Sequence, residues 1–138
     1  NNFSRDSDEV LLARMIFGEA RNCSDEEKIA VAYTALNRVQ RQSWYGEDLK
    51  EVILKPWQYS CFNENDPNRN KLMDPKNYDA NAWKSCLEIS RRVLSNEVND
   101  PTSRSTHYFN PNSANPSWAS KMTKIGKINN SRHEFYRE

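Results

Sequence analysis

The sequence predicts an α+β fold built mainly of helices, on three observations. Three long segments carry apolar residues at helical spacing, the second of them opens with a capping box, and two short aromatic stretches near the end read as strands. The 138 residues suffice for one domain with a real core, so residues 1–138 are read as a single unit.

The first helix is expected from Ser7 or Asp8 to about Arg21, with Leu12, Met15, Ile16 and Glu19 on one face by the i, i+3, i+4, i+7 rule. Ser24 followed by Glu27 caps the second, whose stripe is Ile29, Ala32, Tyr33, Leu36 and Val39. The tight join at Asn22-Cys23 makes the pair an αα-hairpin. A short helix over Glu47–Leu54 closes at Lys55-Pro56, because the residue before proline avoids helical geometry. Trp57–Phe62 alternates aromatic and polar residues and reads as an extended segment with two unlike faces. Asn63–Asn77, rich in Asn, Asp and Pro, reads as a long loop. The third main helix covers Asp79–Asn96, with Trp83, Cys86, Leu87, Ser90, Val93 and Leu94 on its stripe. Thr106–Pro111 is a short strand stopped by proline, Asn112–Lys121 a loop or short helix around Trp118, and Glu134–Tyr136 a final strand.

Composition narrows the function classes. Charged residues make up 28% and mean hydropathy is −1.00, so a heavily solvated surface surrounds the periodic apolar groups. A net charge of +1 without a basic run argues against a dedicated nucleic-acid binder. No apolar stretch is long enough to span a membrane. Three glycines exclude a Gly-rich phosphate loop. The chain opens at Asn1-Asn2 without methionine or an apolar leader, so its start reads as trimmed. Cys23, Cys61 and Cys86 allow one disulfide of undetermined pairing, and no C-x-x-C spacing marks a zinc knuckle.

Glu19 is the most informative residue. Polar positions are open to it elsewhere on its helix, yet it projects with Leu12, Met15 and Ile16. A carboxylate there loses solvation, which favours the neutral acid, and glycoside cleavage needs an acid that protonates the leaving oxygen. A Glu late on an apolar stripe also curls to the helix end or pairs with a distant Arg. Spacing alone leaves both readings open.

The segments Trp57–Phe62, Thr106–Asn110 and Asn115–Trp118 mix aromatic faces with hydroxyls and amides, the groups that hold sugars, although aromatic residues of this kind are also ordinary core. His107 and His133 stand in no H-x-x-x-H or H-E-x-x-H frame, so no metal site is expected. A Cys61 nucleophile with His107 as base, as in cysteine amidases, is the alternative chemistry.

Five blocks, in order, carry a resemblance. Leu11-Leu12-Ala13-Arg14 leading to Gly18-Glu19-Ala20-Arg21, then Ile29–Ala32 with Leu36-Asn37-Arg38-Val39, then Gln58–Phe62, then Asp100-Pro101-Thr102 with Thr106–Pro111, and last His133–Tyr136, together resemble the SleB/CwlJ-type cell-wall hydrolases, the spore cortex-lytic enzyme family. The resemblance covers nearly the whole chain. It implies a lysozyme-like domain with a small β element beside a groove, and peptidoglycan glycan strands as partner.

It further implies that Glu19 matches the family's catalytic glutamate, with lytic-transglycosylase chemistry and no cofactor. By matching position, Gln58, Ser60, Phe62, Thr106, His107, Tyr108 and Asn110 are the expected substrate-binding residues. The chain is expected to act as a monomer outside the cytoplasm. It departs from the family at Arg21-Asn22-Cys23, where Gly is usual, and in the Asn- and Asp-rich 63–77 segment. Spore cortex, vegetative wall and phage lysis therefore all remain open as its setting. A hydrolase using Asp66 or Asp74 as base, and a wall-binding module without activity, are the competing readings.

Overall fold

The computed structural model describes residues 3–138; Asn1 and Asn2, which carry the reading of a trimmed start, lie outside them. Six helices are followed by three strands: α1 (Asp8–Ala20), α2 (Asp25–Arg41), α3 (Leu49–Leu54), α4 (Arg69–Met73), α5 (Pro75–Tyr78), α6 (Ala80–Leu94), β1 (His107–Phe109), β2 (Thr123–Lys127) and β3 (Glu134–Arg137). Single 3₁₀ turns stand at Phe3–Arg5, Ser60–Phe62 and Ser117–Lys121. The mainly helical α+β expectation holds.

α1 is the central element. It packs against α6, α2, α3 and α4, and buries Leu11, Leu12, Ala13, Met15, Ile16, Phe17 and Ala20. A helix covered on most of its circumference is apolar beyond one stripe, which is why burial is wider than the expected Leu12–Met15–Ile16 line. Ser7 starts it by accepting from the Val10 N–H at 3.2 Å. Glu19 sits where the helix leaves the core.

α2 starts at Ser24, whose Oγ accepts from the Glu27 N–H at 3.2 Å. Ser24→Ala is expected to cost on the order of 1 kcal/mol, read as a lower melting temperature. An unchanged melting curve would count against that cap. The reciprocal half of the capping box is absent, because the Glu27 side chain turns away to the segment before β3. The deepest face of α2 is also not the aliphatic stripe. Glu27, Val31, Thr34, Ala35 and Arg38 are buried, whereas Ile29, Tyr33, Leu36 and Val39 are half-buried.

Trp57–Phe62 is a turn rather than an extended strand. The Gln58 N–H bonds Lys55 O, the Phe62 N–H bonds Tyr59 O and the Asn63 N–H bonds Ser60 O, at 3.2, 3.1 and 2.9 Å. The in–out alternation survives, with Tyr59 and Cys61 buried and Ser60 exposed, but it arises from tight turns. The expected 63–77 loop contains α4 and α5, anchored by buried Leu72 and by Pro75 at the first position of its helix. α6 begins at Asp79, which accepts from the Ala82 N–H at 3.0 Å.

The sheet has the order β1-β3-β2, antiparallel throughout, with Tyr108 opposite Phe135. A bulge between Lys124 and Gly126, the latter at φ 103°, lets β2 follow β3. All three cysteines are free, so the disulfide allowed by the sequence does not form. No helix among the described residues is long and apolar enough to cross a membrane.

Candidate active site

Glu19 stands at the junction of two clefts. The larger, about 490 Å³, is lined on one side by Gln58, Tyr59 and Ser60 and on the other by His107, Tyr108 and Trp118. The smaller, about 160 Å³, runs past Arg21, Asn22, Asn68 and Arg132. Glu19 is half-buried, and none of the ion pairs among the described residues involves it. The sequence alternative of an arginine partner is thus set aside.

The Tyr108 hydroxyl donates to Glu19 Oε1. Burial, and next the charge of Glu19, push the Tyr108 phenol well above its usual range. The same two causes push the Cys61 thiol far up. Both groups therefore stay protonated beside the carboxyl. Cys61 is held there by close packing on α1, since a Cβ on Gly18 would lie 2.6 Å from Cys61 Sγ and 2.9 Å from Leu72 Cδ2. Gly18→Ala is accordingly expected to destabilise by about 1–3 kcal/mol despite alanine's better helix propensity, measured by denaturant unfolding. Stability equal to or above wild type would contradict the packing.

The polar face of α2 braces the groove from below. The Arg38 Nε donates to Thr106 O at 2.7 Å and its Nη1 to Gln58 Oε1 at 3.3 Å, while its guanidinium lies 4.8 Å from the Tyr59 ring centre. Thr34 Oγ1 meets the Tyr59 hydroxyl at 3.2 Å. Asn37 reaches Ser105 O and Asp100 Oδ2, both at 2.9 Å. Asp100 in turn accepts from the Thr102 N–H and hydroxyl at 2.8 and 2.6 Å, which explains the Asp100-Pro101-Thr102 block as the turn that delivers β1.

Aromatic rings form one wall. Trp44 lies 4.4 Å from Tyr45, Tyr45 5.8 Å from His107, and His107 4.9 Å from Trp118, between ring centres. Burial first, and then the Arg38 charge, lower the His107 pKa to about 4, so the ring is neutral near pH 7. Because the unfolded chain protonates this histidine near pH 6.5 and the folded one does not, stability falls as pH is lowered from 6.5 to 4. A ceiling of about 3 kcal/mol applies. His107→Gln is expected to flatten the slope in that window. A slope identical to wild type would contradict it.

Of the residues marked in the sequence, Gln58, Ser60, His107 and Tyr108 line the larger cleft with Glu19. Thr106, Phe62 and Asn110 do not. Thr106 is fully buried, with Oγ1 3.0 Å from His107 Nδ1 and accepting from the Glu138 N–H at 3.1 Å, so it braces the strand. Phe62 packs edge-on against Phe3, 5.3 Å away, beside a separate cleft. Asn110 shapes the turn after β1, its Oδ1 accepting from the Asn112 N–H at 2.9 Å.

The spacing missed Trp44 and Met122 as lining residues, and it left Trp57 and Trp118 undecided between core and groove. Trp44 and Trp57 are 52% and 73% exposed, so neither is core. Exposed tryptophan is the signal, and burial is invisible in a local pattern.

Asp66 and Asp74, offered as hydrolytic bases, line neither cleft. Asp66 accepts from the Asn68 N–H and Asp74 from Asn77 Nδ2, each at 2.8 Å. The Cys61–His107 reading fails because the thiol is 1% exposed and held protonated. His133 stands in no local metal frame in the sequence, yet Glu27 and Cys23 have ligand atoms within 4.8 Å of its own. Its Nδ1 is 2.5 Å from Glu27 Oε2, and Glu27 also accepts from the Arg132 and His133 N–H groups at 3.0 and 3.1 Å. Burial raises the Glu27 pKa, but these hydrogen bonds outweigh it and the net shift is downward.

This fold and groove define a mainly helical class of domain with a small three-stranded sheet beside a cleft. It superposes on the catalytic domain of Bacillus cereus SleB with a TM-score of 0.63 at 27% identity, covering 94% of this chain and 89% of that one. The match to the catalytic domain of the germination-specific lytic transglycosylase SleB from Bacillus anthracis has the same TM-score at 25% identity, covering 96% of each. The chain belongs to the cell wall hydrolase family, which residues 22–136 match. Spore cortex-lytic enzymes of Halalkalibacterium halodurans and Bacillus subtilis are 26% and 25% identical over 89% and 86% of the chain. The chain spans about a third of their length, 33% and 34%. The family match begins at Asn22, after Glu19, so the role of Glu19 rests on its surroundings.

Proposed function

We propose that this chain cleaves the glycan strands of peptidoglycan between N-acetylmuramic acid and N-acetylglucosamine, outside the cytoplasm, with Glu19 as acid and then base. The observation that carries the reading is that Glu19 is the only carboxyl among the described residues lining the larger cleft. Its place where two clefts meet suits a polymer with sugars on both sides of the cut bond.

Glu19 gives its proton to the glycosidic oxygen as that oxygen leaves C1 of N-acetylmuramic acid. Positive charge develops at C1. The Glu19 carboxylate then takes the proton of the C6 hydroxyl of the same sugar, and the C6 oxygen bonds C1. The product is a 1,6-anhydro end, and no water is consumed. A second carboxylate has no task in this sequence. Tyr108 holds the carboxyl by its hydrogen bond. Gln58, Ser60 and neutral His107 offer hydrogen bonds to sugar hydroxyl and acetamido groups, and Trp44, Trp57 and Trp118 offer faces for stacking.

The relatives named as spore cortex-lytic enzymes and the germination-specific lytic transglycosylase support this substrate class and chemistry. Incubation of the purified chain with peptidoglycan is expected to release soluble muropeptides with 1,6-anhydro ends, identified by mass. Products with reducing ends would favour hydrolysis, and released stem peptides would overturn glycan cleavage altogether.

A further inference from the structure

Apart from the groove, side chains of three metal-binding types converge where the α1–α2 join meets the start of β3. Cys23 lies just before the cap of α2, Glu27 is in its first turn, and His133 arrives 106 residues later in the chain. One ligand atom from each lies within 4.8 Å of the other two. We propose that Cys23, Glu27 and His133 form a binding site for a borderline-soft divalent cation of the zinc class.

The donor set selects the class. Thiolate, imidazole and carboxylate are the three groups that zinc takes in tetrahedral sites, whereas calcium and magnesium prefer oxygen-only sets. Donors on a bound zinc are roughly 3.3–3.8 Å apart for bonds of about 2.0–2.3 Å, so within the 4.8 Å cluster the 2.5 Å His133–Glu27 pair opens and Cys23 adjusts to complete the set. Half-exposed Cys23 has the freedom to do so.

Backbone geometry already supports two of the ligands. The Arg132 N–H donates to Glu27 Oε1 at 3.0 Å, and the His133 N–H to Oε2 at 3.1 Å, which fixes the carboxylate and the start of β3 to each other. Three protein donors leave a fourth position. Cys23 and Glu27 also border an open cleft of about 370 Å³, which provides both an approach path and room for a water ligand.

Binding is balanced in charge and protons. The ion takes the Cys23 sulfur as thiolate and its proton goes to solvent. His133 gives a ring nitrogen lone pair in place of its 2.5 Å contact with Glu27, its remaining ring proton moving to the other nitrogen. Thiolate and carboxylate together neutralise the divalent charge, which leaves the loaded site neutral beside the Arg132 and Lys28 cations. The bound ion also steadies the His133 ring, which meets Tyr108 edge-on at 5.0 Å. The site thereby backs the residue that holds Glu19.

The test uses the reduced, chelator-treated full chain titrated with Co²⁺ and followed by absorption. A thiolate-to-cobalt charge-transfer band saturating at one ion per chain, displaced by Zn²⁺, is expected. Cys23→Ser should abolish the band and weaken Co²⁺ binding by at least roughly 10–100-fold, while Cys86→Ala should keep both. Circular dichroism confirms that each variant is folded. X-ray absorption at the zinc edge of the loaded wild type should show one sulfur with nitrogen or oxygen neighbours. Absence of the band, its survival in Cys23→Ser, or a sulfur-free zinc shell would each overturn the site. None of these readouts depends on glycan cleavage, so the outcome is separate from that of the proposed activity.

Discussion

Glu19→Gln is expected to lower the rate of glycan cleavage by roughly 10²–10⁴-fold, the usual scale for losing a general acid, while leaving the protein folded. The amide keeps the shape and can still accept from the Tyr108 hydroxyl, so the phenol is not left unpaired. It cannot deliver a proton to the leaving oxygen or take one from the C6 hydroxyl. Because the same group serves both steps, Glu19→Asp is also expected to be slow, its carboxyl being withdrawn by one methylene from the cleft. Activity of Glu19→Gln within about 10-fold of wild type would remove the residue from the chemistry.

The largest effect on stability is expected at Glu27. Its carboxylate is buried and accepts from two backbone N–H groups as well as facing His133. Glu27→Ala takes the carboxylate away from both backbone donors and from His133, at a cost of about 3–5 kcal/mol. For a chain of this size that is a fall of roughly 10–20 °C in melting temperature. The pH dependence has a definite sign. The folded Glu27 pKa is lowered below the ordinary 4.5, so its stabilisation is present above that value and is lost as pH falls through the folded pKa. Glu27→Ala should therefore differ most from wild type near neutrality and converge with it in acid. A constant difference at all pH values would mean that ionisation is not what stabilises the contact.

These two glutamates mark how far the sequence could be read. The helix starts at Ser7, Ser24 and Asp79 were legible because a cap is a matter of three or four neighbouring residues. Glu19 was legible because an acid among Leu12, Met15 and Ile16 breaks a local pattern. Glu27 was not, since its position satisfies the capping-box pattern while its side chain answers to residues 132 and 133. β2 escaped because Thr123–Lys127 has a single large apolar residue and pairs through a bulge. Trp57–Phe62 misled because buried and exposed residues alternate in tight turns as they do in strands. In the groove, Gln58, Ser60, His107 and Tyr108 came with recognisable blocks. Trp44 stood in no block, and Thr106 shared one with groove residues while facing inward. Burial of a single side chain is decided by the elements packed over it, and adjacent residues in the chain do not carry that information.

The single-carboxyl chemistry is tested most directly by digesting peptidoglycan in H₂¹⁸O and weighing the new ends. Since the C6 oxygen of the sugar itself closes on C1, the muropeptides should carry 1,6-anhydro ends free of the heavy isotope. One ¹⁸O at each new reducing end, disappearing when Asp66 or Asp74 is replaced by Asn, would mean that a second carboxylate activates water and would contradict the account.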